Sequence, residues 1–497
     1  MFWKKKSKRI RHENNEGNQL FQKNKDLSIA AVKGLISNMY DGELIEHRIN
    51  KDRNITLIFI RTLIDAERLS ESIIEPLKNC SEDMIHTCIT SVKAAALTSL
   101  DEAQQLMMVG HVLLDDGKGN WWAVPLVNPL GRSIEQSEAE TILYGPKDSF
   151  TEQIDQNITL LRRRLPVTEL KTEKFSAGYL TKAKVVLLYV EGIANPDIVD
   201  IARKKISKIN FDMVIEQSNL AAFMEDHIHS VFPQFQQTDR PDQCAYSLGL
   251  GKIVILVANT PFALVAPITF FHLFQSPEDY IHKWMVASFL RCLRYVSYLV
   301  SIILIPLYVA LTTHHYQVIP LQILFVLLES RSKLPFSPFW EALLMLLILE
   351  IIKEASLRMP TKTSATLGTI GGIVIGQAAV EAGFVSKVLI VLVGVAAIAS
   401  FLVPNYLLSK TNTLIQFAFL ILASLLGIPG IVFGMIYMLA HLNGLTSLKQ
   451  PYFAPVAPLY WRDWMDFFIR APIPWMKKRP AHVHPLFRWR YNRGDDH

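Results

Sequence analysis

Residues from about 289 to 445 are mostly Leu, Ile, Val, Ala, Gly and Phe, whereas residues 1 to about 245 are mixed and charged. A helix needs roughly 20 apolar residues to cross a bilayer. The second half therefore predicts membrane helices, and the first half predicts a soluble region. The predicted fold class is an α/β N-terminal region of two small subdomains followed by an α-helical polytopic membrane domain.

Small residues recur at steps of four in the stretch from Leu367 to Gly383. At about 100° per residue, they fall within a narrow arc of a helix. In lipid, such a face lets another helix approach closely. The candidate helix-packing residues are Gly368, Gly372, Gly376, Ala379 and Gly383.

Gln377 and Glu381 lie one helical turn apart beside that face. A carboxylate in a membrane segment is costly, so it faces protein or water and often has a function. Two environments are possible for the Glu381 carboxylate. It contacts either water in a shared opening or a buried partner such as Lys353 or Lys387.

Glu350 and Glu354 also share one helix face, and Lys353 can pair with Glu350. An amphipathic helix at the membrane surface or in a bundle explains this pair as well as a wet path does. The candidate pore or ion-path residues are Gln377, Glu381, Glu350 and Glu354.

Gly427, Pro429 and Gly430 interrupt the last apolar segment, 414–439, and form a candidate helix break. Broken helices often lie at ion or substrate sites. A simple kink repaired by neighbouring helices is the commoner alternative. Other predicted membrane segments are 295–311, preceded by an interfacial amphipathic helix from 277, and 319–328, 336–357, 365–383 and 388–403.

The net charge of +6 is concentrated at the two ends, as in Lys4–Lys6 and Lys477–Arg479. Basic flanks mark the cytoplasmic side of a membrane protein, so the number of crossings should be even, four or six. The first residues lack the apolar run of a signal peptide. We therefore expect the soluble region and the C-terminal tail to be cytoplasmic.

Five regions are expected along the chain. They are a disordered basic arm (1–25), α/β subdomain 1 (26–145), α/β subdomain 2 (146–275), a membrane domain of four to six helices (276–445) and a basic tail (446–497). Strands are predicted at 54–60, 104–114, 122–127 and 183–193, a hairpin at 252–266, and helices at 65–77, 150–165 and 196–209. The last turn of helix 150–165, Arg162–Arg164, is interpreted as a solvated end or as a contact with a partner or lipid.

Catalytic motifs are absent from the sequence: there is no Walker loop, no Gly-x-Ser-x-Gly and no His-Glu-x-x-His. The pairs His227/His229 and His314/His315 lack metal-site spacing. The turn Asp115–Asn120 resembles a calcium loop but lacks the EF-hand frame, which favours a hairpin turn. Cys80, Cys88, Cys244 and Cys292 are expected to be isolated thiols. These observations predict no catalytic residues, no bound metal and no cofactor.

Six motifs follow one another along the chain: Tyr144–Glu152 with Asn157 and Arg162–Arg164, Tyr189–Ala194, Phe232–Gln234 with Thr238–Asp242, Thr260–Leu264 with Ser276–Tyr280, Glu341–Met345 with Glu354–Ala355, and Gly376–Val380. In this order they resemble the A-subunit family of spore germinant receptors, the GerA family. The resemblance covers nearly the whole chain after about residue 30. Ala258-Asn259 stands where the family more often has Glu-Gly or Asp-Gly.

The resemblance implies a multi-pass protein of the spore inner membrane. Such A subunits work with a transporter-like B subunit, which binds the nutrient, and a lipoprotein C subunit. The resemblance also implies that A subunits form homo-oligomers that conduct ions at the start of germination. The expected partners are therefore these two subunits, further copies of the chain and membrane lipid, with no nucleic acid.

A nutrient-gated ion channel subunit is the function that the residues and the resemblance favour together. The broken last span suggests a secondary transporter subunit instead, although no internal repeat supports that alternative. A non-conducting signalling scaffold of the receptor is the third alternative.

Overall fold

The computed structural model describes residues 27–50, 53–78, 89, 94–129, 137, 145–332, 334–358 and 376–490. The basic arm, Gly368 and Gly372 lie outside these ranges, as does most of the predicted segment 365–383. Described residues form two antiparallel five-stranded sheets with flanking helices, a helical region and a C-terminal segment.

The first sheet has the strand order β1-β2-β4-β5-β3. Its interior strand β2 is buried on both faces, as its continuous apolar run predicted. Ile58 and Ile60 face one helical layer, while Leu57 and Phe59 face the other. The elements are α1 (Ile29–Leu35), β1 (Gly42–Asn50), β2 (Arg53–Ile60), α2 (Ala66–Leu69) continuing through a π turn (Ser70–Ile74) into α3 (Glu75–Lys78), β3 (Ala95–Leu97), α4 (Leu100–Met108), β4 (His111–Asp115) and β5 (Trp121–Pro125).

The predicted strand 104–114 is wrong over its first half, because Leu100–Met108 is helix α4. Ser99 caps this helix by accepting from the Glu102 amide at 3.3 Å, and Glu102 accepts from the Thr98 amide at 3.2 Å. The Ser-x-x-Glu spacing is a capping-box signal readable in the sequence. The hairpin turn at 115–120 is confirmed, since β4 pairs with β5 across it.

The second sheet has the order β6-β7-β9-β10-β8. Successive β7 side chains alternate between two helical layers: Val185 and Leu187 face α6 and α7, whereas Val186 and Leu188 face α5 and α8. The predicted hairpin is confirmed as β9 and β10. The elements are α5 (Ile154–Arg164), β6 (Leu170–Ala177), β7 (Ala183–Val190), α6 (Pro196–Ser207), α7 (Gln217–Met224), β8 (Gln236–Thr238), α8 (Pro241–Gly249), β9 (Ile253–Val257) and β10 (Ala263–Ala266).

A buried ion pair joins the two sheet units. Arg162 at the end of α5 donates to Asp41 through Nε at 2.5 Å and Nη2 at 2.6 Å, and both side chains are fully buried. Asp41 also accepts from the hydroxyls of Thr62, at 2.7 Å, and Thr172, at 2.8 Å. The solvated-end interpretation is therefore wrong for Arg162, and its contact is made within the chain.

The helical region begins with α9, a continuous helix of 30 residues. The predicted interfacial helix and first span are thus one element. In the described ranges, α9 and α14 are long and apolar enough to cross a membrane, and α13 and α15 are apolar but shorter. The helices are α9 (Trp284–Thr313), α10 (Leu321–Arg331), α11 (Pro338–Leu357), α12 (Gly376–Glu381), α13 (Lys387–Phe401), α14 (Tyr406–Leu426) and α15 (Ile428–Gly444).

The C-terminal segment packs back onto the second sheet unit. Leu448 and Val483 belong to the same buried core as β7 and β9. The Tyr452 hydroxyl donates to the Pro233 carbonyl at 2.6 Å, and Arg479 Nε donates to the Gly249 carbonyl at 2.7 Å. This segment contains β11 (Thr446–Ser447), β12 (Gln450–Pro451) and α16 (Trp464–Phe467).

Replacing Arg162 by Met should lower the free energy of unfolding by about 3–5 kcal/mol, because Asp41 would remain buried without a counter-charge. The purified full chain would be followed by thermal and urea unfolding. Arg163→Met is the matched control, since Arg163 is exposed. Equal effects of the two substitutions would contradict the assigned role of the ion pair.

The pH dependence of this contribution follows from Asp41. Burial raises its pKa, but Arg162 and the two threonine hydroxyls outweigh burial and hold the pKa below the ordinary value of 3.8. The stabilisation is therefore present above pH 3.8 and is lost as pH falls through the lower folded-state pKa.

Candidate functional site

Asp279 connects the soluble units to the first long helix. Its carboxylate is fully buried and accepts from Arg291 Nη2 at 2.9 Å and from Arg294 Nη1 at 2.8 Å. Both arginines lie on α9, three residues apart, and so share one helix face. Arg291 is fully buried and Arg294 nearly so. The interfacial amphipathic helix predicted from 277 would place Arg291 and Arg294 at the lipid surface, and this is wrong for both, since they turn toward a protein carboxylate.

Local sequence explains the position of Asp279. Ser276 precedes a short helical turn, Pro277–Tyr280, and its amide donates to Asp279 Oδ2 at 3.3 Å. Proline suits the first position of such a turn because it has no amide proton to satisfy. The Ser276–Tyr280 motif thus builds the acceptor for the two arginines.

The C-terminal segment completes this cluster through Asp466. Tyr280 donates from its hydroxyl to Asp466 Oδ1 at 2.9 Å, and Arg291 donates to the Asp466 backbone carbonyl. Burial raises the pKa of Asp466, while Arg291 opposes that shift. We call these five residues, Asp279, Tyr280, Arg291, Arg294 and Asp466, the junction cluster. It bonds the soluble region, α9 and the C-terminal segment to one another.

The acidic candidates of α11 are paired with cations of the same bundle. Glu350 lies 3.7 Å from Lys353 Nζ and 3.6 Å from Lys410 Nζ, and Lys410 is on α14. Glu354 lies 3.2 Å from Lys410 Nζ and 2.9 Å from Arg358 Nη2. The carboxylates therefore link α11 to α14, and their charge is neutralised within the chain.

Gln377 and Glu381 lie on α12, and both are exposed. Gln377 Nε2 donates to Glu381 Oε1 at 2.9 Å. Within the described ranges, Glu381 forms no ion pair with Lys353 or Lys387. Of the small-residue face, Gly376 is buried, and Ala379 and Gly383 are half-buried.

Glu341 is a buried carboxylate that the sequence did not predict as a site residue. It lies on α11 and accepts from the Ser386 amide at 2.5 Å, at the start of α13. Ser386 also caps α13 through its own hydroxyl and contacts the Tyr308 hydroxyl at 3.2 Å. A lone Glu near the start of an apolar helix was the available signal, because such a charge needs a buried donor.

Gly427 lies between α14 and α15, with φ +68° and ψ −141°. A Cβ there would lie 2.5 Å from His315 Cε1, so the position demands glycine for both conformation and space. Pro429 and Gly430 lie in the first turn of α15, and a Cβ on Gly430 would lie 2.1 Å from the Leu422 carbonyl oxygen. These three candidates hold α15 close against α14.

Taken together, the described residues form an α/β region joined by a buried charge cluster to a helical bundle with two candidate membrane spans. The family model described as Bacillus/Clostridium GerA spore germination protein matches residues 18–482. The chain belongs to this GerA family of spore germination proteins, as the motifs predicted.

Individual relatives are similar over most of their length. Spore germination protein GerQA of Bacillus cereus is 37% identical over 449 residues, covering 89% of this chain and 90% of the relative. The uncharacterized membrane protein YfkQ of Bacillus subtilis (strain 168) is 34% identical over 433 residues, covering 86% and 84%. A crystal structure of the N-terminal domain of the A subunit of the Bacillus megaterium spore germinant receptor GerK3 is 25% identical with a TM-score of 0.37, covering 49% of this chain and 94% of that chain.

Replacing Asp279 by Asn should destabilise the contact between the soluble region and α9 by about 3–5 kcal/mol, since two arginines would lose their buried counter-charge. Limited proteolysis of the full chain in detergent should then cut the 275–285 segment faster. Glu278→Gln is the matched control, one residue away and only half-buried. An unchanged cleavage rate in Asp279→Asn would contradict the role of the junction cluster.

Proposed function

We propose that this chain is the A subunit of a nutrient germinant receptor in the spore inner membrane, and that several copies form a cation-conducting channel that starts germination. Membership of the GerA family supports the receptor role. The expected partners are the transporter-like B subunit, the lipoprotein C subunit, further copies of the chain and membrane lipid. The role is non-catalytic and needs no cofactor.

Exposed apolar side chains support a membrane domain of several crossings. On α10, Leu321 and Phe325 are 68% and 62% exposed, and on α13, Phe401 is 70% exposed. Leaving each such side chain in water forgoes about 1.5–3 kcal/mol relative to burial. Lipid or a neighbouring copy would cover these surfaces.

Packing of the C-terminal segment supports an even number of crossings. Leu448 and Val483, which follow α15, share a core with the second sheet, which precedes α9. Two parts of one core must lie on the same side of a membrane. The basic termini then favour the cytoplasmic side for both parts.

Glu381 is the carboxylate that supports a cation path best. Glu350 and Glu354 are neutralised by Lys353, Lys410 and Arg358, whereas Glu381 is exposed and hydrogen-bonded to a neutral amide. A ring of such carboxylates, one from each copy, is a known way to select cations.

The small-residue face supports assembly around that path. Ala379 and Gly383 are half-buried, so part of this face stays accessible beside the buried Gly376. Small residues at these positions allow a neighbouring helix to approach closely. The arrangement would bring the Glu381 side chains of several copies near one axis.

Replacing Glu381 by Gln should slow potassium release from germinating spores by about tenfold, because the substitution removes the attractive charge but keeps the shape. The measurement is potassium efflux after nutrient addition, with receptor abundance determined by immunoblot. Glu329→Gln is the matched control, an exposed carboxylate on α10. Normal efflux in Glu381→Gln spores with normal receptor abundance would refute the role of Glu381 in ion conduction.

A further inference from the structure

A cavity of about 320 Å³ lies on the soluble side of the junction cluster. It is enclosed by α8, the segment 270–281 and the C-terminal segment. A volume of this size suits a small organic molecule. Its polar lining includes Tyr246, Lys252, His272, Tyr280 and Arg490.

Lys252 is the unusual member of this lining. It is 2% exposed, and within the described ranges its ammonium has no hydrogen bond and no ion pair within 4 Å. Asp466 attracts it only at longer range, and burial lowers the pKa of Lys252 to about 7. A buried ammonium without a partner is costly, so an anion entering the cavity would gain a charge-assisted contact.

The acidic groups nearest the cavity already have donors. Asp242 pairs with Arg240 at 2.8 Å, and Asp466 accepts from Tyr280 at 2.9 Å. His272 accepts from the Thr269 amide through Nδ1 at 3.1 Å, and burial, with Lys252 nearby, holds its pKa well below 6.5. His272 is therefore neutral, with its proton on Nε2.

The remaining walls suit an apolar or aromatic body. The rings of Tyr246 and Tyr280 lie 5.0 Å apart, and the Arg490 guanidinium lies 5.9 Å from the Tyr246 ring centroid. Leu250, Ile281 and Met476 add aliphatic surface. The cavity thus offers two cationic side chains, Lys252 and Arg490, beside apolar wall surface.

We propose that this cavity binds a small organic carboxylate, with its anionic group on Lys252 and Arg490 and its apolar body against the two tyrosines. Tyr280 belongs both to the cavity wall and to the junction cluster. Occupancy of the cavity would therefore bear directly on the contact between the soluble region and α9. The site is independent of whether the chain conducts ions.

Benzoate and benzamide are a suitable pair of probes, because they share a shape and differ in charge. Calorimetric titration of the purified full chain should show benzoate binding at least tenfold tighter than benzamide. Lys252→Met should weaken benzoate binding by about 10- to 100-fold and leave benzamide binding unchanged. Lys208→Met is the control and should bind as the parent chain does. Lys208 is exposed and follows α6, which packs on the face of the second sheet opposite α8.

Arg490→Gln provides a second variant at a partly exposed position, where folding is not at risk. It should weaken benzoate binding severalfold. Equal affinities for benzoate and benzamide would overturn the proposal, as would unchanged benzoate affinity in folded Lys252→Met and Arg490→Gln.

Affinity for benzoate should also depend on pH. Lys252 must be protonated to pair with the carboxylate, so affinity should be greatest below about pH 7 and fall by up to tenfold per pH unit above it. This dependence should vanish in Lys252→Met, and a flat profile in the parent chain would contradict the assigned contact. The groups that face Lys252 from the surrounding elements are Tyr246, His272, Tyr280, Asp466, His482 and Arg490.

Discussion

Asp279 is buried between Arg291 and Arg294, and this charged contact joins the two halves of the chain beside the apolar core that they share. Its strength comes from burial, since removing one partner would leave a charge without water or counter-ion. Arg291 also reaches the Asp466 backbone, so the C-terminal segment is held at the same point. A displacement of the soluble region would therefore also move the N-terminal part of α9, where Arg291 and Arg294 lie.

A second buried ion pair, Arg162 with Asp41, joins two sheets that have separate cores. In the helical bundle, salt bridges from Lys410 to Glu350 and Glu354 likewise join α14 to α11. The three charge clusters thus connect successive units from the first sheet to the helices, a continuity that the proposed nutrient-gated channel would require.

Local patterns in the sequence predicted the elements well where one periodicity dominated. The apolar run of β2 and the turn between β9 and β10 were correctly interpreted, because strand faces and turn residues are local signals. Helix α4 was missed although Ser99 and Glu102 have the capping-box spacing and Ser99 caps the helix. The break at Gly427 could be predicted because glycine and proline interrupt an apolar run there. The structure adds that the His315 ring lies close to Gly427.

Contacts between distant residues could not be predicted in this way. Asp41 and Arg162 are 121 positions apart in the sequence, and neither segment carries a local pattern that predicts their contact. Arg291 and Arg294 have spacing typical of an interfacial helix, and only the fold shows that they face Asp279. The sequence placed Lys252 at the start of the predicted hairpin 252–266. Only the fold shows that α8 and the C-terminal segment surround its side chain.

Conductance of the purified full chain in a planar bilayer is the decisive measurement for the proposal that copies of this chain form a cation path. We expect discrete current steps whose reversal potential in a potassium chloride gradient favours potassium over chloride. We also expect reduced cation preference in Glu381→Gln at equal protein incorporation. Incorporated protein that forms oligomers but passes no current would refute the cation path and favour a non-conducting scaffold.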